Sequence, residues 1–296
     1  MANLKEVRIR IASVNTTQQI TKAMKLVAAS KLKRAQDRIL QMRPYSEKLN
    51  EMLSNIMSGM EGGTSLSFNK QREPKKILVV LITSDKGLAG GFNSNLIKTA
   101  RKLLEETYAD QKKKGGVTIL SIGKKGYDFF KKDKELTFIT EHLSLMPTLT
   151  FESSKVVSQF LMQAFAEEKY DVIELVYAKF VNAATQRFML ERFLPVAANA
   201  ESKISKTKAD YIFEPEKEKL LEELVPKILN TQLFKAMCDT NASEHGARMV
   251  AMDSATNNAN ELIRSLKIQY NRERQAAITK EILEIVGGAA ALEEKG

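Results

Sequence analysis

Few residues of this chain could do chemistry, and they lie far apart. The sequence contains one cysteine, Cys238, and two histidines, His142 and His245. A metal centre needs several such ligands at close spacing, and nucleophilic catalysis needs a base and an orienting group beside the nucleophile. The Ser84–Asp85 pair has no nearby histidine in the sequence. We therefore expect no catalytic residue, no metal and no cofactor.

A glycine-rich loop from Ser84 to Asn93 is the motif closest to a ligand site. Gly87, Gly90 and Gly91 lie in it, after a predicted buried strand and before a predicted helix. Phosphate-binding loops occupy this position in α/β proteins. The G-x-x-G-G spacing, however, fits neither the dinucleotide-binding pattern nor the P-loop. The spacing favours a structural turn with close backbone approach, and no small-molecule substrate is expected.

Basic side chains concentrate at the start of the chain. The 296 residues carry a formal net charge of +10, and +8 of it belongs to residues 1–43. A localised basic stripe predicts an anionic partner, which could be nucleic acid, lipid headgroups or an acidic protein surface. The longest apolar run, Ile77–Ile82, is too short to span a membrane, and the charged start is not a secretion signal. We expect a cytoplasmic or peripheral membrane protein.

The first segment has the pattern of a coiled-coil helix. Alternating steps of three and four residues from Leu4 to Met60 define a seam whose positions are apolar in thirteen of seventeen cases. Pro44 is expected to kink or divide this helix, and the glycines between Gly59 and Gly63 are expected to end it.

Three consecutive positions of the seam, Gln18, Thr21 and Lys25, are polar and interrupt it. One interpretation is that they set the register of helix pairing, as buried polar residues do in coiled coils. The other interpretation is that another protein contacts this stretch. Periodicity alone leaves both open.

The last third of the chain predicts a second long helix, from Glu216 to about Val286, with Pro226 and Gly246 as its internal helix breakers. A helix of this length must pack to be stable in water. We expect it to pair antiparallel with the first helix.

The middle segment alternates strands and helices, which indicates a mostly parallel, Rossmann-like α/β sheet inserted between the two helices. The predicted division is an N-terminal coiled-coil helix over 1–63, an α/β domain over 75–213 and a C-terminal coiled-coil helix over 214–296. The predicted strands are Lys76–Thr83, Val117–Ile122, Leu136–Thr140, Asp171–Lys179, Gln186–Pro195 and Asp210–Phe213, and the predicted helices are Ser94–Glu106, Lys124–Lys132 and Ser153–Glu168.

Four motifs, in order and nearly end to end, resemble the F-type ATP synthase gamma subunit of bacteria. They are the opening Ile9–Lys31, the glycine loop Ser84–Asn93, the segment Ser243–Asp253 and the C-terminal stretch Ile278–Ala291.

The resemblance implies a non-catalytic rotor shaft. In this family the paired terminal helices turn inside an alpha3-beta3 hexamer, and the α/β domain rests on the membrane c-ring beside the epsilon subunit. Proton flow through the c-ring is thereby coupled to ATP synthesis or hydrolysis at the beta subunits. One copy per complex is implied, peripheral at the cytoplasmic face of the bacterial inner membrane.

The resemblance also implies which residues contact the beta subunits. Met24 matches a family position of tight coupling, and Arg274 and Gln275 match polar contacts near the top of the shaft. The basic residues of the first helix suit acidic loops of beta: Lys22, Lys25, Lys31, Lys33 and Arg34. Ile285, Val286 and Leu292 belong to an apolar tip that would turn in an apolar sleeve.

Two other functions remain as alternatives. A basic coiled-coil nucleic-acid-binding protein would explain the charge, although the basic segment lacks base-stacking aromatics. A nucleotide-dependent α/β enzyme with a helical dimerisation segment would explain the middle of the chain, although the site chemistry for it is missing. The resemblance implies no nucleic acid and no direct small-molecule substrate.

Overall fold

The computed structural model describes residues 4–58, 68–196 and 217–293. The chain forms two compact units. Residues up to Val27 and residues from Met249 onward form one, here called the helix pair, and Ala28–Arg248 form the other, the central unit. Helix α1 (Leu4–Ser58) and helix α6 (Lys217–Glu293) each contribute a stretch to both units.

The central unit is built on a five-stranded sheet of order β3-β2-β1-β4-β5. The first four strands along the chain run parallel, and β5 runs antiparallel to β4. Every residue of β1 is fully buried, because a central parallel strand is covered on both faces. The strands are β1 Ile77–Ile82, β2 Val117–Ile122, β3 Thr137–Ile139, β4 Val172–Phe180 and β5 Gln186–Leu194.

Short helices cover this sheet. Phe92, Leu96 and Ala100 of the first of them bury one face against β1, β4 and β5. Thr150 caps helix α5 (Phe151–Ala166), which precedes β4, by accepting a hydrogen bond from the backbone N–H of Ser153. The helices are α2 Phe92–Lys102, which continues as a π-helical turn Leu103–Thr107, α3 Ala109–Lys113, α4 Lys124–Phe130, the 3₁₀ turn Met146–Thr148 and α5 Phe151–Ala166.

The small residues near the middle of α6 let it lie directly against β4. The Ser243 hydroxyl donates to the Ala178 carbonyl, and the Ala178 N–H donates to the Thr240 hydroxyl. A Cβ added to Gly246 would come within 3.0 Å of the Ala183 carbonyl oxygen. These small residues therefore serve the close approach of α6 to the sheet.

The predicted α/β architecture with antiparallel terminal helices is confirmed. Pro44 does not divide the first helix, since α1 continues through it, and the kink that was the other expectation stays a prediction. Pro44 is exposed while Ile39 and Leu49 on either side are buried, so packing of the seam offsets the hydrogen bond that proline removes. The predicted strand at Asp210–Phe213 lies outside the described residues, as do the glycines expected to end α1. The predicted domain limits stay predictions.

No helix among the described residues has an apolar stretch that is long enough and poor enough in charge to cross a membrane.

Candidate functional site

The helix pair is held in register by three polar contacts between α1 and α6. The Gln18 amide donates to the Asn260 side-chain oxygen at 3.1 Å, the hydroxyls of Thr21 and Thr256 lie 2.8 Å apart, and Lys25 Nζ lies 2.5 Å from Asp253 Oδ1. The residue numbers of the α1 members increase while those of their α6 partners decrease, so the two helices are antiparallel. These three pairs are called the polar ladder below.

The polar ladder gives the interruption of the seam a structural explanation. Thr21 is buried, and Gln18 and Lys25 are half-buried on the face of α1 that meets α6. Each of the three side chains has a partner of matching chemistry on α6. The register-setting interpretation therefore accounts for their position without a second protein, because a shift of either helix would break all three contacts.

The basic residues predicted to contact a partner differ in their surroundings. Lys22, Lys31, Lys33 and Arg34 are exposed, whereas Lys25 is half-buried. Lys33 also pairs with Asp37 on its own helix at 2.9 Å. Met24, next to the polar ladder, is half-buried. The exposed lysines and arginine are thus available to a partner, and the ammonium of Lys25 is already engaged.

The last part of α6 is exposed on all sides. Arg274 and Gln275 are exposed, and every described side chain from 281 to 289 is exposed as well. Ile285 is 71% exposed and Val286 is 59% exposed, although both are apolar. Leu292 lies in the same helix, but its side chain falls outside the described residues.

The described residues of the helix pair include more large apolar side chains that are exposed than apolar side chains that are buried. Its described residues include four buried apolar side chains, Val7, Met252, Ala259 and Leu266. Twelve large apolar side chains of the same unit are exposed, which is typical of a surface that a partner covers. They are Ile9, Ile20, Leu26, Val27, Val250, Leu262, Ile268, Ile278, Ile282, Leu283, Ile285 and Val286.

The glycine loop is a turn closed by its own side chains. The Asn93 side-chain oxygen accepts from the Ser84 N–H at 3.1 Å, and the Ser84 hydroxyl donates to the Lys86 carbonyl at 2.6 Å. Arg248 of α6 donates to the carbonyls of Lys86 and Gly87. These contacts agree with the structural-turn interpretation of the motif.

Sequence reasoning missed a cleft in the central unit beside this turn. It has a volume of about 340 Å³ and is lined by α1, α6 and the glycine loop. Glu244 and Arg248 form an ion pair of 2.7 Å at its wall. Burial, with Arg248 and Lys31 adding to it, lowers the pKa of His245 to about 4, so this histidine is neutral at physiological pH. The spacing of Lys31, Arg34 and Arg38 on one helical face was the signal for it.

The other perturbed groups of the central unit serve packing. Burial raises the pKa of the Tyr108 phenol to about 12, and its hydroxyl donates to Glu174, which also pairs with Arg192. Burial likewise raises the pKa of the Cys238 thiol to about 12, so the reactive thiolate is scarce at neutral pH. Over residues 4–58, 68–196 and 217–293, no group of three or more His, Cys, Asp or Glu side chains is arranged to hold a metal ion.

Sequence comparison finds close relatives along the full length. The profile of the family described as ATP synthase matches residues 3–292. The ATP synthase gamma chain of Cytophaga hutchinsonii is 51% identical over 294 residues, covering 99% of each chain. That of Flavobacterium psychrophilum is 51% identical over 292 residues, again covering 99% of each.

Structural comparison finds the same fold in solved assemblies. A chain in the central stalk and c-ring of Tetrahymena thermophila mitochondrial ATP synthase matches with a TM-score of 0.54 and 25% identity, over 80% of this chain and 99% of that one. A chain in a Euglena gracilis mitochondrial ATP synthase assembly described as OSCP/F1/c-ring matches with a TM-score of 0.67 and 21% identity, over 98% and 94%.

Proposed function

Because the chain belongs to the ATP synthase gamma-chain family, we propose that it is the rotating central shaft of a bacterial F-type ATP synthase. In this function the shaft couples proton flow through a membrane c-ring to ATP synthesis or hydrolysis at the beta subunits. The chain is a non-catalytic component of the complex. One copy serves each assembly, at the cytoplasmic face of the bacterial membrane and peripheral to it.

The observation that carries this proposal is the exposed apolar surface of the helix pair. Among its described residues the helix pair exposes twelve large apolar side chains and buries four apolar ones, one of them an alanine, so its surface is suited to enclosure by a partner. An alpha3-beta3 hexamer supplies such an enclosure. The end of α6, with Ile285 and Val286 exposed, enters an apolar sleeve in this proposal, where few directional hydrogen bonds would oppose turning.

The contacts to the beta subunits are charge-assisted in this proposal. Lys22, Lys33, Arg274 and Gln275 are exposed and can reach acidic loops of a partner. Met24 lies beside the polar ladder, so a change in its contacts would act on the register of the pair. Lys25 is a contact only if a partner carboxylate shares its ammonium with Asp253.

The central unit supplies the remaining partners. Its α/β sheet rests on the c-ring beside the epsilon subunit in this proposal, so that rotation of the ring turns the sheet and the helix pair together. The basic coiled-coil nucleic-acid binder is not supported, since the curated relatives at 51% identity are ATP synthase gamma chains.

Rotation of the chain inside alpha3-beta3 is the direct test. The exposed Lys98 of α2 would be changed to cysteine and carry a bead, while buried Cys238 escapes labelling. With beta subunits immobilised, ATP should drive continuous one-way rotation with one dwell for each beta subunit. ATP hydrolysis with a stationary bead would contradict the proposal.

The contact residues need a separate test. We expect Met24→Lys and Arg274→Ala to lower ATP-driven proton pumping about tenfold, equivalent to about 1.4 kcal/mol of lost interaction, while the complex still assembles. Arg272→Ala removes the same charge from an exposed neighbour and serves as the control. Loss of assembly in both variants, matching the loss of pumping, would show that these residues act in folding instead.

A further inference from the structure

The cleft beside the glycine loop, here called the basic cleft, has no part in the proposed rotation. At about 340 Å³ it lies at the small end of the range of ligand pockets. Its apolar lining is limited to Ala35, Met146 and Pro147. Its charged lining consists of five basic side chains and two carboxylates: Lys31, Arg34, Arg38, Lys86, Arg248, Asp85 and Glu244.

Both carboxylates of the cleft are already engaged. Glu244 accepts from Arg248 at 2.7 Å, and both side chains are about nine-tenths buried. Asp85 accepts a hydrogen bond from the backbone N–H of Lys124 at 3.1 Å. Arg248 is held further by the carbonyls of Lys86 and Gly87, so its guanidinium is fixed at the wall.

The other four basic side chains outnumber the one carboxylate of the cleft that has no ionic partner, Asp85, which is bonded to a neutral N–H. Arg38 donates to the carbonyl of Leu149 at 3.0 Å, which is a neutral partner. The side chains of Lys31, Arg34 and Lys86 have no hydrogen-bond or ion-pair partner among residues 4–58, 68–196 and 217–293. Four exposed cations and one carboxylate without an ionic partner thus line one small concave space, which leaves a net positive charge that an anion would balance.

We propose that the basic cleft binds a small phosphate-rich anion, namely a triphosphate group, either as free polyphosphate or at the end of a nucleotide. The side chains of Lys31, Arg34, Arg38 and Lys86 bind its oxygens through charge-assisted hydrogen bonds. This differs from a P-loop, because the glycine loop contributes the Lys86 side chain and not a row of backbone N–H groups.

The observations favour a small anion over an acidic protein segment. A segment of another chain would bring apolar side chains that need apolar pockets, and the cleft offers only a few such surfaces. The inference goes beyond the proposed function. It also gives Lys31 and Arg34 a role other than the beta contact expected from the family resemblance.

Calorimetric titration of the full-length chain at fixed ionic strength tests the inference. Sodium tripolyphosphate should bind saturably with one site per chain, and Lys31→Gln or Arg34→Gln should weaken that binding about tenfold. Lys33→Gln is the matched control, because it removes the same charge two residues from Lys31. Lys33 lies outside the cleft and pairs with Asp37. We expect the control to keep affinity within about twofold.

The titration can either support or overturn the proposed anion site. If ATP, tested without divalent metal, competes with tripolyphosphate, the result supports a nucleotide ligand. If tripolyphosphate binds and ATP does not, the result supports free polyphosphate. Absence of saturable binding would overturn the inference, as would equal weakening by Lys33→Gln. Tighter binding of an oligoglutamate peptide than of tripolyphosphate would overturn it in favour of protein docking. None of these results bears on rotation, so the two proposals can fail separately.

Discussion

The central unit and the helix pair achieve order in opposite ways. In the central unit, all six residues of β1 have no exposed surface, and apolar side chains from α2 and α5 close over the sheet. In the helix pair, Thr21 and its polar neighbours fix the register, and most large apolar side chains of the described residues remain exposed. The central unit therefore holds its own core, while the helix pair has a register but an incomplete core.

The contrast fits a chain that is rigid in one unit and, in the proposed shaft, is completed by partners in the other. A covered sheet resists local deformation, because its interior is close-packed. A helix pair with few buried apolar contacts gains most of its stability when a partner encloses it, because the partner binds the native state and not the unfolded one. We expect substitutions to have large effects on unfolding in the central unit and small ones in the helix pair.

The largest effect should come from the core of the central unit. Phe165 of α5 has no exposed surface, so Phe165→Ala should lower the free energy of unfolding by about 3–5 kcal/mol through lost burial and a cavity. Urea denaturation followed by circular dichroism measures this. Val156→Ala on the same helix is the control, because Val156 is 59% exposed. Equal losses in the two variants would show that α5 does not close the core.

The second effect is a gain in stability at Asp239. Burial raises the pKa of this carboxyl to about 6, against the opposing influence of Lys235, Lys179 and Arg43. The folded state then keeps a proton that the unfolded state has released, so stability falls as pH rises from about 4 to about 6. Asp239→Asn should raise the free energy of unfolding at pH 7 by about 1–3 kcal/mol.

The pH profile separates this cause from others. Below about pH 4 the carboxyl is protonated in both states, so parent and Asp239→Asn should have the same stability. A gain that persists at pH 3 would mean that altered packing, and not ionisation, is responsible.

A third, smaller effect tests the polar ladder. Thr21→Val keeps the shape of the side chain and removes its hydroxyl contact with Thr256, which should lower local stability by about 1 kcal/mol. Hydrogen exchange of α1 amides in residues 14–27 of the full chain reports this. Thr17→Val is the control, since Thr17 is exposed and bonds only within its helix. Equal acceleration of exchange in both would count against the polar ladder.

The smallest effect on stability should come from breaking the ion pair between Lys25 and Asp253. Its two side chains are 40% and 48% exposed, so a double-mutant cycle with alanine at both should give a coupling of about 0.2–1 kcal/mol. The coupling should shrink as salt is added, because exposed charges are screened. A coupling that is large and insensitive to salt would show a contact more deeply buried than described.

Patterns local in sequence predicted most of the fold. The apolar run Ile77–Ile82 predicted a buried parallel strand, and the seam of α1 predicted which side chains turn inward. Both depend only on the period of a strand or a helix. The continuity of α1 through Pro44 could not be predicted, because the cost of the proline, about 3 kcal/mol, is local, whereas the burial that offsets it comes from tertiary packing.

Contacts between distant segments could not be predicted from one sequence. Gln18 and Lys25 were recognised as interruptions, but their partners Asn260 and Asp253 lie more than 220 residues away and depend on the register of two helices. The basic cleft was missed for the same reason, since it joins α1 to the glycine loop and to α6. The predicted beta contacts depend on a partner and remain predictions.

Whether this chain is the shaft of an ATP synthase can be decided from the subunit stoichiometry of the assembled complex. The tagged chain would be purified from gently solubilised membranes of cells that express it, and the complex would be weighed by native mass spectrometry. The account predicts one copy of this chain with three alpha and three beta subunits, together with epsilon. A homodimer free of those subunits, or a complex with nucleic acid, would contradict it.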